Sequence, residues 1–349
     1  MVRRETNDLR GALREATAVR RQATELDGEA GHELAAEADL LTAGVRYWQG
    51  RSGPARTAAL AAAEHAERLS PGRPRTQLLA RAYALHDSAV VELDGRPATY
   101  GEEPLRMFHE IGDLYNEGRF SVNVAIGLFY AGHWERAVGL YRRSLELAQR
   151  IGDVFSVAVA QMNIGEVLAY QGHGDEAVAL LRESVDSLAD LHNPLAAAHA
   201  SCFLGAALRS TGSGDEALAE LDRAEALFAE AGVGPGPGLD DVATRRLEVL
   251  VDRGDPAACG PVVAGLLTRG QALAAQHVAR LHRCLAQLAG DPDQAVREIE
   301  LSLAAARTLP LAHETALSLL VRAELPGADR AACLAEATAA LDALGVVRH

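Results

Sequence analysis

The sequence predicts an all-α protein, folded as a right-handed superhelix of about seven to eight helix pairs. Hydrophobic residues make up 48% of the chain but aromatic residues only 4%, and alanine and leucine at this density suit closely packed helices. The 349 residues exceed the usual size of one core, which favours either several domains or an elongated repeat structure. An internal repeat in the sequence favours the elongated repeat structure.

Three segments of the chain align without gaps at an offset of 40 residues. They begin at Val122, Met162 and Cys202. Each segment has a glycine after its first apolar stripe, at Gly132, Gly172 and Gly212. Each has an alanine early in its second stripe, at Ala137, Ala177 and Ala217. Since apolar residues recur at helical spacing on both sides of the glycine, each segment is predicted to form two helices.

The turn between the two helices of a unit has its own sequence signals. Gly172 is expected to end the first helix of the middle unit, and Asp175 to cap the second. Asp215 is expected to act as a cap in the next unit. Ala177 is small enough to let the two helices come close. Pro194 is predicted to open the helix that follows, because proline suits the first helical position.

The repeat also divides the chain into predicted segments. Residues 1–30 are expected to form an N-terminal capping helix, and residues 31–231 the main helical array, with the clearest repeats at 121–233. The stretch "GVGPGPG", residues 232–238, cannot continue a helix and is predicted to be a linker. Residues 239–349 are expected to form further helix pairs.

The repeated unit resembles the tetratricopeptide repeat (TPR) family. The family signature of small residues, a turn glycine, an early alanine and a bulky apolar residue is matched in the middle unit by Gly165, Gly172, Ala177, Leu181 and Ser184. The usual period is about 34 residues, so a period of 40 implies longer helices or a longer connection. The resemblance implies an α-solenoid that binds proteins or peptides and is not an enzyme.

A second resemblance concerns the C-terminal segment, "LPLAHETALSLLVRAELPGADRAACLAEATAALDALGVV". It resembles the C-terminus of large bacterial signalling proteins in which a TPR array follows an ATPase module, including class III nucleotidyl cyclases. The central units are similar to the TPR regions of ATPase-linked transcriptional activators. These resemblances imply the regulatory or sensor part of a signalling system. The alternative is a fragment or relic of such a protein, acting on catalytic modules in cis or in trans.

Composition argues against several other functions. The net charge of −14 repels phosphate backbones and anionic membranes, so neither nucleic acid nor a membrane is an expected partner. The chain contains no lysine and no GxxxxGK[ST] motif, which argues against a P-loop ATPase. The four cysteines form no CxxC pair and are expected to be small buried residues. A cytoplasmic protein without cofactors is predicted.

The motif "GHGDE" at residues 172–176 looks at first like a hydrolase turn. In the three repeats its histidine slot holds His133, His173 and Ser213, whereas the acidic slot holds Glu135, Asp175 and Asp215. Because only the acidic residue persists, a helix start explains the motif better than catalysis. An unrecognised hydrolase stays the alternative. His277 and His282 are five residues apart, which does not suit a helical metal site.

The first helices of adjacent units carry the residues predicted to line a partner-binding groove. Asn123 and Asn163 occupy the same repeat position, and their amides could pair with the backbone of an extended peptide. Arg119 could hold a carboxylate. The full candidate set is Arg119, Asn123, Phe129, Tyr130, Met162, Asn163, Tyr170, His199 and Arg209. A purely structural role for the asparagines, which are common at this TPR position, is left open.

Overall fold

The computed structural model describes residues 9–49, 51–94, 98–309 and 311–347. Within these ranges the chain forms 17 α-helices and one short 3-10 helix, and no strand. The all-α class predicted from the sequence is confirmed. Residues 1–8 of the predicted N-terminal capping helix lie outside the described residues.

The helices follow one another with short connections. They are α1 (Leu9–Ala23), α2 (Gly28–Trp48), α3 (Ser52–Ala66), α4 (Arg73–Asp94), α5 (Glu103–Glu110), α6 (Leu114–Tyr130), α7 (Trp134–Ile151), α8 (Val154–Tyr170), α9 (Gly174–Asp190), α10 (Pro194–Ser210), α11 (Gly214–Glu230), α12 (Pro237–Asp252), α13 (Pro256–Arg269), α14 (Ala275–Leu288), α15 (Pro292–Thr308), α16 (Ala312–Ala323) and α17 (Arg330–Ala343). The 3-10 helix spans Gly270–Ala272. In the described residues, none of these helices combines the length and the apolarity that crossing a membrane requires.

The chain divides into two compact units. The first comprises Met1–Gly127 with Glu146–Gly152, and the second comprises Leu128–Leu145 with Asp153–His349. The break between helices predicted at residues 232–238 is present, because α11 ends at Glu230 and α12 begins at Pro237. Both sides of that break belong to the second unit. The domain boundary proposed there stays a prediction.

The first unit has an alanine-rich core. Helix α3 packs against both α2 and α4, and Ala62 and Ala66 of α3 are fully buried between them. Asp87 of α4 is buried as well, and its carboxylate accepts backbone N–H groups of Tyr100 and Gly101, both at 2.8 Å. A buried carboxylate that accepts backbone donors fixes Tyr100 and Gly101 just before α5.

The second unit contains a row of even-numbered helices. Each of α8, α10, α14 and α16 packs on the odd-numbered helix that follows it, and so does α12 on α13. In addition α8 contacts α10, α10 contacts α12, α12 contacts α14, and α14 contacts α16. The first helices of successive pairs therefore form one continuous surface, which is where the predicted groove residues are expected.

Glycine makes the turn within each repeat. Gly132, Gly172 and Gly212 have φ values of 80°, 87° and 81°, a left-handed conformation that residues with a side chain rarely adopt. After Gly172, the backbone N–H of His173 donates to the carbonyl of Leu168 at 2.9 Å and satisfies the end of α8. The predicted role of these glycines is confirmed.

The predicted capping by Asp175 and Asp215 is wrong. Helix α9 begins one residue earlier, at Gly174, and α11 at Gly214, and neither helix has a side-chain hydrogen bond at its N-cap. Both carboxylates lie instead in the first helical turn. There they favour the helix through its dipole rather than through a cap.

Side-chain caps occur instead at α8 and α10, and also at α13, α15 and α17. Asp153 accepts the backbone N–H of Ser156 at 3.1 Å at the start of α8. Asn193 accepts that of Ala196, also at 3.1 Å, at the start of α10. Pro194 is the first residue of α10, as predicted. A side-chain cap of this kind contributes about 1 kcal/mol.

The cysteines agree with expectation in three cases out of four. Cys202, Cys259 and Cys284 are buried, whereas Cys333 is partly exposed, and all four are free thiols. Cys333 lies on α17, the last helix of the second unit, and packs at the margin of a hydrophobic cluster. A terminal helix has one fewer neighbour to cover it, which explains the exposure.

Close packing within the repeats depends on glycine in the first helix. A methyl group on Gly165 would lie 2.6 Å from Cγ of Leu181, and one on Gly205 would lie 2.8 Å from Cγ of Leu221. Both leucines are fully buried. These glycines therefore let α8 approach α9, and α10 approach α11, more closely than any other residue would.

We expect Gly165→Ala to lower the free energy of unfolding by about 1–3 kcal/mol, because the overpacking of Leu181 exceeds the gain in helix propensity. The matched control is Gly139→Ala in α7, where a methyl group meets no atom within 4 Å. That variant should be more stable than the wild type by about 1 kcal/mol. Urea denaturation followed by circular dichroism measures both. Equal shifts in the two variants would contradict the packing argument.

Candidate functional site

A cavity of about 220 Å³ lies in the second unit. Its walls come from α8, α10, α12, α14 and α16, together with the end of α6, the start of α7 and the residue after α17. The aromatic residues that line it are Phe129, Tyr130, Trp134, Tyr170 and Phe203. The charged residues are Glu166, Asp241, Arg245, Arg280 and Glu314, and the histidines are His199, His277 and His313.

Aromatic rings form one wall of the cavity. The rings of Phe129 and Trp134 stack with centroids 5.5 Å apart, and Tyr170 stacks on Phe129 at 6.0 Å. The indole N–H of Trp134 donates to the backbone carbonyl of Phe129 at 3.0 Å. The His313 ring lies 5.0 Å from that of Tyr170. Because each ring is held by its neighbours, this wall is a preformed apolar surface.

Two buried arginines share two partners. Arg245 donates from Nε to Asp241 at 2.9 Å and from Nη2 to the Tyr170 hydroxyl at 2.9 Å. Arg280 donates from Nη1 to Asp241 at 2.7 Å and from Nη2 to the same hydroxyl at 2.8 Å. Their side chains are only 4% and 7% exposed. The two guanidinium groups are thereby fixed on either side of one carboxylate and one phenol.

Charges of alternating sign continue from Arg280 away from the cavity. Its Nε donates to Glu314 at 2.8 Å, Arg283 donates to the other oxygen of Glu314 at 2.6 Å, and Arg283 also donates to Glu248 at 2.6 Å. Glu248 lies 3.6 Å from Arg209. Each buried charge in this series of ion pairs has a partner of opposite sign, as burial requires.

Two carboxyl groups in the cavity differ strongly in their acidity. Burial opposes the ionisation of Asp241, but Arg245 and Arg280 outweigh it and hold the pKa of Asp241 well below its usual range. Glu166 accepts from Arg245 Nη2 at the longer distance of 3.4 Å. Burial therefore dominates there and raises the pKa of Glu166 to about 7, which the attraction of Arg245 only partly offsets.

The histidines of the cavity are neutral at pH 7. Burial lowers the pKa of His277 to about 4 and that of His313 to about 4. The His277 side chain is 1% exposed, and its Nδ1 lies 3.4 Å from the Thr244 hydroxyl. Burial also lowers the pKa of His199. These rings therefore contribute polar surface without charge.

The segment after α17, up to Val347, borders one side of the cavity. The side-chain amide of Gln171 donates to the backbone carbonyl of Leu344 at 2.9 Å, and the backbone N–H of Val347 donates to the carbonyl of Gln171 at 2.8 Å. Leu344 itself lines the cavity. The segment after α17 is thus bound to the turn between α8 and α9, 173 residues earlier in the chain.

Four of the nine residues predicted to bind a partner line this cavity. They are Phe129, Tyr130, Tyr170 and His199. Their role in binding stays a prediction, but the structure brings them together from α6, α8 and α10.

The other five predicted residues lie elsewhere. Asn163 is buried, and its amide donates to the carbonyl of Val159 within α8 at 2.7 Å. Met162 is half-buried on the same helix, and Arg209 belongs to the ion-pair chain at Glu248. Two further predicted residues belong to the first unit, Arg119 and Asn123.

The prediction of a groove missed several cavity residues, and one of them had a visible signal. Trp134 occupies the repeat position that holds Gly174 and Gly214 in the next two units. A tryptophan where the other units have glycine is the signal that could have identified it. Arg245 and Arg280 follow residue 233, where the clear repeat ends, and no spacing pairs them with Tyr170. Their contacts depend on how helices far apart in sequence pack.

The histidine motifs do not assemble a metal site. Among the described residues, no group of three or more His, Cys, Asp or Glu side chains is placed to hold a metal ion. His282 pairs through Nδ1 with Glu298 at 2.7 Å, whereas His277 lines the cavity. His173 lies exposed at the N-cap of α9.

Residues 118–190 match the family model described as "Tetratricopeptide repeat". This match covers α7, α8 and α9 and most of α6. This central part of the chain is therefore similar to tetratricopeptide repeats. The other helix pairs follow the same arrangement at weaker sequence similarity, so the fold as a whole is TPR-like. A search of curated proteins gave no match.

Solved structures with a similar fold cover most of the chain. A Rap protein complexed with competence and sporulation factor is 13% identical, with a TM-score of 0.61 over 97% of this chain and 96% of that one. The Rap conjugation gene regulator of plasmid pLS20, in complex with the Phr* peptide, is 15% identical, with a TM-score of 0.56 over 88% and 84%. BtubC (BKLC) from P. vanneervenii is 22% identical, with a TM-score of 0.53 over 66% and 95%. At such identities the likeness concerns the fold alone.

None of these matches is to a nucleotidyl cyclase or an ATPase-linked activator. The resemblance of the C-terminal segment to such proteins therefore stays a prediction. The TPR assignment depends on the central repeats, and the TPR-like fold extends to both sides of them.

We expect Tyr170→Phe to lower the free energy of unfolding by about 1–3 kcal/mol, because Arg245 and Arg280 each lose an acceptor in a buried site. Tyr115→Phe is the matched control, since Tyr115 is 37% exposed and lies in the first unit. Thermal and urea denaturation measure the difference. If both variants unfold like the wild type, the hydroxyl of Tyr170 does not organise the arginines.

Acid should destabilise the second unit through its buried histidines. The unfolded chain takes up a proton at His277 below about pH 6.5, whereas the folded chain does so only near pH 4. Stability is therefore lost as the pH falls between these values, by about 2 kcal/mol for His277 between pH 7 and pH 5.

His277→Gln tests this expectation, because it removes the titrating group. Its unfolding midpoint in urea should fall less than that of the wild type between pH 7 and pH 5. The exposed His173 supplies the control, and His173→Gln should follow the wild type. A His277→Gln profile parallel to that of the wild type would count against this account.

Proposed function

We propose that the chain is a non-enzymatic binding scaffold whose second unit binds a peptide or a segment of a protein in the cavity. The observation that carries the proposal is the cavity itself, which is lined by an aromatic wall and by fixed hydrogen-bonding groups. An apolar surface with a few placed polar groups is typical of ligand sites. We further propose a regulatory or sensor role in a bacterial signalling system in the cytoplasm.

The similar structures support a peptide as the ligand. Two of them are complexes, one with competence and sporulation factor and the other with the Phr* peptide. The TPR-like fold of this chain provides a row of first helices on which a ligand could bind. In this chain that row supplies residues from five helices to one cavity.

Fixed side chains favour binding because little ordering is needed when a ligand arrives. Trp134 is 5% exposed and held by Phe129, and the arginines are restrained by Asp241. A ligand therefore binds with a smaller loss of side-chain conformational entropy. An aromatic anchor of the ligand would gain the most from such a wall.

Binding can be converted into a signal through the row of helices. Because α8, α10, α12, α14 and α16 all line the cavity, a ligand contacts several helix pairs at once. A ligand that fits one arrangement of these helices better than another shifts the population toward it. The contacts of Leu344 and Val347 with Gln171 connect the last helix pair to the same response.

The proposal can be tested with a random peptide library displayed on phage and selected on the purified protein. The affinity of the best selected peptide is then measured by isothermal titration calorimetry. We expect Phe129→Ala to weaken its binding at least about tenfold, since the peptide loses part of the aromatic wall. The control is Phe155→Ala, because Phe155 is 43% exposed and lies on α8 outside the cavity.

The melting temperature of both variants is measured alongside. A folded Phe129→Ala variant that binds the peptide as tightly as the wild type would show that the cavity is not the binding site. Failure to select any peptide above background would likewise oppose the proposal.

A further inference from the structure

We propose that the cavity recognises a positively charged group attached to an apolar group, with Glu166 as the counter-ion and the aromatic wall around the apolar part. This inference deepens the proposed function and rests on it for the nature of the natural ligand. It concerns the chemistry of the ligand, a primary ammonium or a guanidinium next to a ring or an aliphatic side chain.

The first argument is the number of partners that each carboxylate has. Asp241 contacts Arg245 and Arg280 at 2.9 Å and 2.7 Å, and Glu314 contacts Arg280 and a second arginine at 2.8 Å and 2.6 Å. Glu166 accepts only from Arg245, at 3.4 Å, among the hydrogen bonds of the described residues. Among the described residues it is the one cavity carboxylate that contacts a single arginine, and that contact is longer than those of Asp241 and Glu314.

The second argument is the balance of charge in the lining. Two arginines face three carboxyl groups there, and the histidines are neutral. With Glu166 ionised, the lining carries one negative charge in excess. A cationic ligand completes this balance, whereas an anionic ligand would compete with Asp241 and Glu314 for arginines that are already paired.

The aromatic wall favours the same class of ligand. Aromatic faces attract cations electrostatically, and rings in this cavity already hold one. The guanidinium of Arg245 lies 5.6 Å from the ring centre of Tyr170 and 5.2 Å from that of Phe203. Phe129 and Trp134 extend the wall beyond Tyr170 and offer apolar surface to the rest of the ligand.

The size of the cavity limits what can enter. Sites for drug-sized molecules have volumes of roughly 300–1,000 Å³, and this cavity has about 220 Å³. It therefore admits one residue or a group of similar size. The N-terminal residue of a peptide, an arginine or lysine side chain, and a free arylalkyl amine share the required chemistry.

Binding of such a ligand is coupled to the proton on Glu166. Burial holds the pKa of Glu166 at about 7, and a cation pairs only with the ionised form. The groups that face Glu166 from its own and neighbouring helices are Tyr130, Tyr141, Tyr170, Asp241, Arg245 and Arg280. The arginines stay charged and the tyrosines neutral between pH 6 and pH 8, so Glu166 alone among these groups titrates in that range.

The test uses three probes of matched size. They are phenethylamine, which is cationic, 2-phenylethanol, which is neutral, and 3-phenylpropionate, which is anionic. An alkyl amine stays protonated up to pH 8 because its pKa is near that of lysine, about 10.4. Binding is measured by titration calorimetry and by Trp134 fluorescence in a Trp48→Phe background, where Trp134 is the one remaining tryptophan.

We expect phenethylamine to bind at least about tenfold more tightly than either other probe at pH 8. Its affinity should fall about tenfold at pH 6, because the ionised fraction of Glu166 falls from about nine-tenths to about one-tenth. At pH 7, binding should release about half a proton, which calorimetry in two buffers of different ionisation enthalpy measures on the wild-type protein.

Glu166→Gln should remove both the preference for the amine and its pH dependence. The matched control is Glu176→Gln, because Glu176 is exposed on α9 and lies outside the cavity. Equal binding of the three probes, no binding of any of them, or an amine preference that survives in Glu166→Gln would overturn the inference. The proton-release measurement decides the question if the variant does not fold.

A final comparison separates this inference from the proposed function. The best peptide from the library is measured with a free and with an acetylated N-terminus, and against Glu166→Gln. One outcome is that the peptide binds in the cavity with an affinity that depends neither on its free N-terminus, nor on its basic side chains, nor on Glu166. That result would support the proposed function and refute the inference. If phenethylamine binds through Glu166 and no peptide does, the cation site stands and the peptide function falls.

Discussion

Asp241 lies between Arg245 and Arg280, and the organisation of the cavity depends on this contact. Its two oxygens accept from the two guanidinium groups, which would otherwise be buried positive charges in close proximity. Leaving a buried charge without its partner costs about 3–5 kcal/mol. The pairing therefore fixes α12 and α14 relative to each other, and the Tyr170 hydroxyl, which accepts from both arginines, brings α8 to the same point.

The helix pairs reach this point by two different kinds of contact. In the central repeats the packing is apolar and close, since Gly165 and Gly205 admit Leu181 and Leu221 against the backbone. After residue 233 the repeat pattern weakens, and charged side chains connect α12, α14 and α16. Apolar packing has no directional preference, whereas a buried ion pair requires a particular geometry. Contacts of the second kind lie at the cavity, next to the apolar core that α12 and α14 also share.

This difference explains which features the sequence could reveal. Gly172, Ala177 and Leu181 act on neighbours within one repeat, so their spacing predicts the turn and the packing of two helices. The cavity pairs Tyr170 with Arg280, 110 residues away, and no local pattern contains that pairing. Asn163 shows that a repeated position can also have a purely local contact. Its repeat position suggested a binding role, but a buried amide needs an acceptor, and the Val159 carbonyl one turn away supplies it.

Two carboxyl groups in one cavity have opposite acidities because of the number of arginines that each contacts. Burial disfavours the charge on both. The two close guanidinium groups reverse that effect for Asp241, whereas for Glu166 the attraction of Arg245, at 3.4 Å, and of Arg280 only partly offsets it. Glu166 is therefore the carboxyl group of the cavity whose ionisation would respond most to a charge that enters it. Such local departures from complete pairing are expected where a protein binds rather than where it only folds.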